Sequence, residues 1–385
     1  MRVVLYTGKG GVGKTSVAAA SACKVAKDGK KVIIMSTDQA HSLADSFNMR
    51  LEKEPTKINE NLYGMEIDTV YEGEKSWASL KDYMRRLLTI KGEGSIEVEE
   101  LLVFPGLEEL FALFKILEIY DKKEYDVLIV DCAPTGETLS LLKYPEKLSN
   151  FIEKVLPIKR KGAKIAGPAM EKVMKIPMPK DNVFDDIEYI MNKMERLQNL
   201  MLNKDIVSLR IVTTPEKIVI KEAKRNFTCL HLYNYNVDAI IVNKIYPKEA
   251  MEGYFSKWIK MQDEGLKEIE ESFSEIPRYY LELQKGEIRN IEVLKKVGDE
   301  LFEDDDLTKV LFKKDIFTIE KSKESTIMRI LLPFADKREL DLRQDKNEIV
   351  LSVKNETRRF PLPVDLYDKE ITGAKFIDGY LLINF

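Results

Sequence analysis

Eight consecutive residues, Gly8-Lys9-Gly10-Gly11-Val12-Gly13-Lys14-Thr15, combine four glycines, two lysines and a hydroxyl directly after a short apolar run. Glycine accepts positive φ and lets the backbone approach a bound group closely, so such a loop can wrap a chain of phosphates with successive N–H groups. The N-terminus of a following helix adds further donors aimed at the same anion. In that arrangement Lys14 reaches the β- and γ-phosphates, Thr15 offers its hydroxyl to Mg²⁺, and Ser16 stands beside it. The chemistry implied is binding of ATP with Mg²⁺.

The other reactive side chains are sparse. Cys23, Cys132 and Cys229 are the three cysteines, none at metal-ligand spacing from another, and the two histidines are His41 and His231. An odd number of cysteines in a long chain points to reduced thiols in a reducing compartment, and a zinc site would need distant groups to converge.

The elements that position the loop follow from the apolar pattern. Residues 2 to 7 read as a buried strand, the Ala-rich run 15 to 27 as a helix stopped at Gly29, and Val32 to Met35 as a second strand. This βαβ unit predicts a parallel sheet covered by helices, and Val127 to Val130, Ser208 to Val212 and Val237 to Val242 are further buried-strand candidates. The fold class expected is α/β, a doubly wound parallel sheet. A helical insert spans about 70–120 and 150–205. Within it, Ile187, Tyr189, Ile190, Met191, Met194, Leu197, Leu200 and Met201 fall on one broad helical face. The insert reads as a helix packed on the sheet behind a basic loop, or as a Met-lined surface that adapts to apolar partners.

The pattern changes at Glu303-Asp304-Asp305-Asp306, a charge run expected at a solvated boundary. The organisation expected is therefore an ATPase domain at 1–303, a linker at 304–316 and a small all-β sandwich at 317–385. In the last segment Leu340 and Leu342 alternate with Asp341 and Arg343, and Lys346-Asn347 and Asp378-Gly379 supply turns.

Length, with 44% hydrophobic and 33% charged residues, fits a large globular core. The net charge of −4 gives no footprint for nucleic acid or an anionic membrane. No run approaches the roughly 20 apolar residues of a spanning helix, and the N-terminal run is too short for a signal peptide. A cytoplasmic protein without direct membrane insertion or nucleic-acid partner is expected.

Lys9 carries a more specific resemblance. Lys-Gly-Gly-Val-Gly-Lys-Thr resembles the deviant phosphate loop of MinD-like and nitrogenase-iron-protein-like ATPases, in which that first lysine crosses a dimer interface to the partner's nucleotide. Ser36-Thr37-Asp38-Gln39-Ala40-His41-Ser42-Leu43, Asp131-Cys132-Ala133-Pro134-Thr135-Gly136-Glu137-Thr138-Leu139 and Phe104-Pro105-Gly106-Leu107-Glu108-Glu109 are similar to segments of one family. It is the family of arsenical-pump ATPases and tail-anchored-protein-targeting ATPases, matched over about residues 1 to 303. The resemblance implies a homodimer with ATP between facing subunits. It also implies that Asp38 and Lys9 are the catalytic pair, Asp38 orienting the attacking water, that Asp131 holds the Mg²⁺ shell with Thr15 and Asp38 and senses the γ-phosphate, and that Asn243 reads adenine. Pro215 and Glu222 would lie near nucleotide and interface.

Some positions depart from that family. Gln39, Cys132 and Glu137 stand where proline, threonine and histidine are usual, the zinc-sharing Cys-x-x-Cys is missing, and the three-cysteine arsenite site is not recognisable. Residues 358–365 and 374–383 resemble the end of a small heat-shock protein domain, without the tail motif used for large assemblies. The leading expectation is an ATP-hydrolysing homodimer whose cycle controls binding of a hydrophobic client protein. The alternatives are the energising subunit of an arsenite or anion exporter, and a nucleotide-switched scaffold for a folded partner.

Overall fold

The computed structural model describes residues 1–37, 42–68, 82–83, 85, 107–132, 180–251, 253, 256–322, 325–367 and 369–385. Eight strands make one sheet: β1 (Arg2–Thr7), β2 (Val32–Ser36), β3 (Thr56–Lys57), β4 (Leu62–Glu66), β5 (Val127–Asp131), β6 (Val207–Thr213), β7 (Val237–Ile245) and β8 (Arg278–Glu282). Their order is β3-β4-β2-β5-β1-β6-β7-β8, parallel throughout except for the two-residue edge strand β3 against β4. The expected α/β sheet is present. The strand order turns back at β1, with β5 on one side and β6 on the other, so the crevice beyond the carboxyl end of β1 is where such a sheet places its ligand.

β1, β2, β5 and β6 are buried at almost every position, which is why each reads as an unbroken apolar run rather than an alternation. α1 (Lys14–Lys27) lies on this sheet through Val17, Ala18, Ala19, Ala20, Ala22 and Val25. Small side chains here let the helix sit close, and α7 (Ile291–Phe302) packs across it with Leu294, Val297 and Leu301. Between these helices come α2 (Ser42–Phe47), α3 (Leu107–Lys122), α4 (Asp181–Met201), α5 (Lys217–Leu232) and α6 (Ser256–Ser272).

The chain divides into two units, one of Met1–Glu66, Tyr125–Leu139 and Met201–Phe385, the other of Ile67–Glu124 and Ser140–Leu200. In the second, α4 buries Val183, Ile190, Met194 and Leu197 at helical spacing, and Arg196 holds Asp121 of α3 at 2.8 Å. Tyr189 departs from the expected face: it is 47% exposed, with the Lys193 ammonium 4.8 Å above its ring. Most of the expected insert, including residues 86–106 and 150–179, lies outside the described residues.

Beneath the sheet is a buried charge network. Arg210 of β6 donates from Nε to Asp238 of β7 at 3.1 Å, from one terminal nitrogen to the Tyr6 hydroxyl and from the other to the Leu307 carbonyl. The second Asp238 oxygen accepts from the Leu311 backbone N–H and lies 3.6 Å from Arg2, which also donates to the carbonyls of Ile206 and Thr308. The segment expected as a linker, 304–316, is therefore strapped to the sheet. Glu303 to Asp306 face solvent as their charge requires, but Leu307 and Ile316 are buried.

Beyond the strap lies an antiparallel sandwich. β9 (Phe317–Lys321), β10 (Thr326–Leu331), β14 (Gly373–Ile377) and β15 (Tyr380–Asn384) form one sheet in the order β14-β15-β10-β9. β11 (Leu340–Asp345), β12 (Glu348–Val353) and β13 (Glu356–Pro361) form the other. Its core joins Ile330, Ile349, Leu351, Phe360 and Ile383 to Leu232, the last residue of α5. Arg358 stacks on Phe317 and Phe360 and donates to the Leu232 carbonyl at 2.6 Å, a cation placed at a helix C-terminus. Thr228 bonds the Pro333 carbonyl, and the Tyr233 hydroxyl donates to Glu356 at 2.9 Å.

Two stability predictions follow from buried charge. Asp238→Asn removes one partner of a desolvated pair, so it should lower stability by about 3–5 kcal/mol in denaturant unfolding; a loss below about 1 kcal/mol would place the pair with ordinary surface bridges. His231, on α5 at the sandwich, is pushed down to about 3 by burial, with Lys204 and Lys314 acting the same way and a hydrogen bond to the Leu331 backbone opposing. Folded His231 stays neutral where the unfolded residue takes a proton, so stability falls as pH drops from 6.5 towards 3. His231→Phe should reduce that acid-side slope by up to about 1.4 kcal/mol per pH unit; an unchanged slope would assign the acid sensitivity to other groups.

Candidate functional site

The loop after β1 has the shape its glycines allow. A Cβ on Gly8 would run into the Val212 carbonyl at the end of β6, and one on Gly13 would meet the Asn243 amide, with Gly13 also at φ 90°. Gly13 caps α1, its carbonyl taking the Val17 N–H, so the free N–H groups of the first helical turn face the loop. The Lys14 ammonium is largely buried and donates to the Lys9 carbonyl at 3.3 Å.

Thr15 and Asp131 come together across the end of the sheet. The Thr15 hydroxyl donates to one Asp131 carboxylate oxygen at 2.6 Å, and Asp131 is buried at the carboxyl end of β5. The Thr37 N–H donates to the Asp131 carbonyl at 3.0 Å, tying the end of β2 to the end of β5. Asp38 is the next residue in the chain; it, Gln39 and His41 lie outside the described residues, as does Glu137.

Lys9 is half-exposed and its ammonium stands 3.3 Å from Glu222 of α5. These two candidates, far apart in sequence, are thus brought together on one side of the loop. Asn243 is buried at β7; its Nδ2 donates to the Val12 carbonyl at 2.8 Å and its Oδ1 accepts from the Lys244 N–H at 2.8 Å. Besides any contact with a base, Asn243 braces the loop. Lys244 is a residue the sequence did not single out: at φ 57° it points its ammonium to the Gly11 carbonyl at 2.6 Å. Nothing in its type marks it except its place after Asn243.

Two hollows flank the loop. One, of about 460 Å³, is lined by Gly13, Ser16, Asp45, Asn243, Gln284 and Arg289 and lies beside the glycine-rich loop. The other, of about 230 Å³, is bounded by Pro215, Ile218, Lys244, Tyr246, Trp258 and Met261. Pro215 is fixed there by α6, whose Gly265 comes against its carbonyl.

The cysteines sit on three separate elements, Cys23 in α1, Cys132 after β5 and Cys229 in α5, all buried. Burial pushes the Cys23 thiol up to about 12. Among the described residues no group of three His, Cys, Asp or Glu side chains could hold a metal ion by itself.

Comparison with known proteins matches residues 1–303 to the anion-transporting ATPase family and residues 323–385 to the HSP20-like domain found in ArsA. The chain is 35% identical to the protein of Aquifex aeolicus (strain VF5) named arsenical pump-driving ATPase 1, over 100% of this chain and 99% of that one. It is 33% identical to the arsenical pump-driving ATPase so named in Chlorobaculum tepidum, over 100% and 96%. ATPase GET3C of Arabidopsis thaliana is 30% identical over 77% of this chain and 81% of its own. With the phosphate loop, the Thr15–Asp131 pair and the appended sandwich in place, the chain belongs to the anion-transporting ATPase family and hydrolyses ATP.

Proposed function

We propose that this ATPase works as a homodimer whose nucleotide cycle controls access to a surface for a hydrophobic client protein in the cytoplasm. The observation that carries this reading is the outward position of Lys9, on the phosphate loop but paired with Glu222 at the protein surface. Ile218 lies one turn before Glu222 on the same helix face, and Ile218, Trp258 and Met261 are 71%, 41% and 49% exposed. A second copy covering this apolar recess would carry its own Lys9 towards the first copy's phosphates. ATP between the copies then favours the closed pair through contacts made only there, and hydrolysis removes that bias.

Within each copy, Lys14 and the loop N–H groups hold the phosphates and Asn243 keeps the loop in register beside the base. Thr15 and Asp131 present hard oxygens in a buried setting, a donor set that fits Mg²⁺. Held by these residues, a magnesium ion would offset negative charge on the bound phosphates. Asp38, following the residue that bonds the end of β5, orients and deprotonates the attacking water. The client surface belongs to the helical unit that contains α3 and α4.

The relatives' names favour a second reading, the energising subunit of an arsenite or anion exporter. A soft metalloid needs thiolates converging on one point, and three buried cysteines on three elements support the client reading over it. No helix among the described residues is long and apolar enough to cross a membrane.

Asp38→Asn should cut single-turnover hydrolysis by about 10²–10⁴-fold while fluorescent-nucleotide binding persists; unaltered turnover would remove Asp38 from its role. The ATP-loaded variant should capture a photo-crosslinkable apolar helical peptide through residues of the helical unit. Failure to capture it with ATP, with ADP and without nucleotide would sink the client reading. Trp258→Asp should lower dimer content in ATP-dependent sedimentation and reduce turnover in parallel; a dimer of undiminished strength would move the interface elsewhere.

A further inference from the structure

β7 and β8 fall out of step beside the glycine-rich loop. Val242 pairs with Tyr280 and Ile245 with Glu282, so β7 carries one residue more than its neighbour between those pairs. The surplus is taken up at Asn243 and Lys244. Lys244 stands at φ 57°, in the left-handed region that a long side chain rarely occupies, and its N–H donates to the Asn243 Oδ1 at 2.8 Å. Pairing resumes at once, with the Leu283 N–H on the Ile245 carbonyl at 2.7 Å. Bulges are uncommon in parallel strands, and beside active sites they re-aim side chains.

This bulge re-aims two. The Asn243 Nδ2 donates to the Val12 carbonyl at 2.8 Å, and the Lys244 ammonium donates to the Gly11 carbonyl at 2.6 Å. Successive residues of the bulge thus hold successive carbonyls of the loop. Lys244 makes no ion pair among the described residues, although Glu216, Glu282 and Glu287 line the hollows it borders. A trans peptide carries its N–H opposite its carbonyl, so turning these two carbonyls towards β7 turns the Val12 and Gly13 N–H groups away from it. Positive φ at Gly11 (81°) and Gly13 (90°) permits that orientation. Neither N–H has a hydrogen-bond partner among the described residues. A cation on a carbonyl oxygen also draws electrons from the same amide, which makes its N–H a stronger donor.

We propose that Lys244 is a positioning residue for ATP hydrolysis: its ammonium fixes and polarises the Gly11–Val12 peptide so that the Val12 N–H meets the phosphate chain already oriented. Asn243 does the same, without a charge, for the Val12–Gly13 peptide. Donors held in place need no reordering when the anion arrives, and that favours its binding. Lys244 touches no phosphate and acts only through the loop. The assignment needs the ATP hydrolysis of the family and nothing of the dimer or the client.

Three variants of the full-length chain test it. Lys244→Met keeps the stem and loses the donor, Lys244→Arg keeps a cationic donor, and Lys244→Gly relieves the backbone while losing the donor. Lys244→Met should weaken binding of fluorescent ADP with Mg²⁺ by about tenfold. It should raise KM for ATP by a similar factor and lower kcat by less than about threefold, as expected when binding is lost equally in ground and transition states. Lys244→Arg should recover most of that affinity. Lys244→Gly should melt within a few degrees of the parent and bind as weakly as Lys244→Met. Undiminished ADP affinity in Lys244→Met, an arginine variant no better than it, or tight binding by Lys244→Gly would overturn the proposal. So would a kcat loss at constant KM, which places Lys244 in the chemical step. A co-crystal with ADP in which the ammonium leaves Gly11 for the nucleotide would make it a direct ligand instead.

Discussion

The Arg210–Asp238 pair is the constraint on which the arrangement of the first unit depends. Both charges have lost their hydration between adjacent strands, so each must be satisfied by protein, and the strands alone do not supply enough partners. The missing ones are the Leu307 carbonyl and the Leu311 N–H. The chain leaving α7 therefore has to pass under the sheet along a single path, and Asn236 fastens it again through the Phe312 carbonyl. That path delivers the sandwich to the C-terminal end of α5. Such a pair adds little net stability over a well-packed apolar substitute; what it confers is position.

Once seated, the sandwich turns α5 into a shared element. Its first half carries Ile218 and Glu222 beside the phosphate loop, and its last turn puts Thr228, His231 and Leu232 into the sandwich interface. Its 16 residues span about 24 Å as one hydrogen-bonded rod. A displacement at either end is transmitted without a hinge, because no glycine or proline interrupts it.

How far the sequence was legible depended on whether the physics was local. The phosphate loop could be read because its turns demand glycine, and the central strands because burial on both faces leaves unbroken apolar runs. β4 and β8 were missed: Leu62-Tyr63-Gly64-Met65-Glu66 carries a glycine and a carboxylate, and Arg278-Tyr279-Tyr280-Leu281-Glu282 is an edge strand with exposed charge. Arg210 lay unnoticed inside a strand candidate, and Asp238 likewise, since each makes sense only against the other. For the same reason 304–316 looked like a linker from its acids. The Thr15–Asp131 meeting was anticipated through family likeness, whereas the Lys9–Glu222 pair, Lys244 and the exposure of Tyr189 are tertiary outcomes that no spacing encodes.

The strap also sets an order of assembly. Arg2 bonds the Thr308 carbonyl across 306 residues, so the first strand is completed by a segment synthesised long after it. Contacts so distant in sequence close late, since the entropy of the intervening loop is lost before any reward. On a ribosome, β6 and β7 would wait with Arg210 and Asp238 only partly satisfied until Leu307 and Leu311 emerge. The sandwich follows directly behind them. It therefore reaches α5 as the nucleotide domain closes, and its docking becomes a late checkpoint for strands made long before.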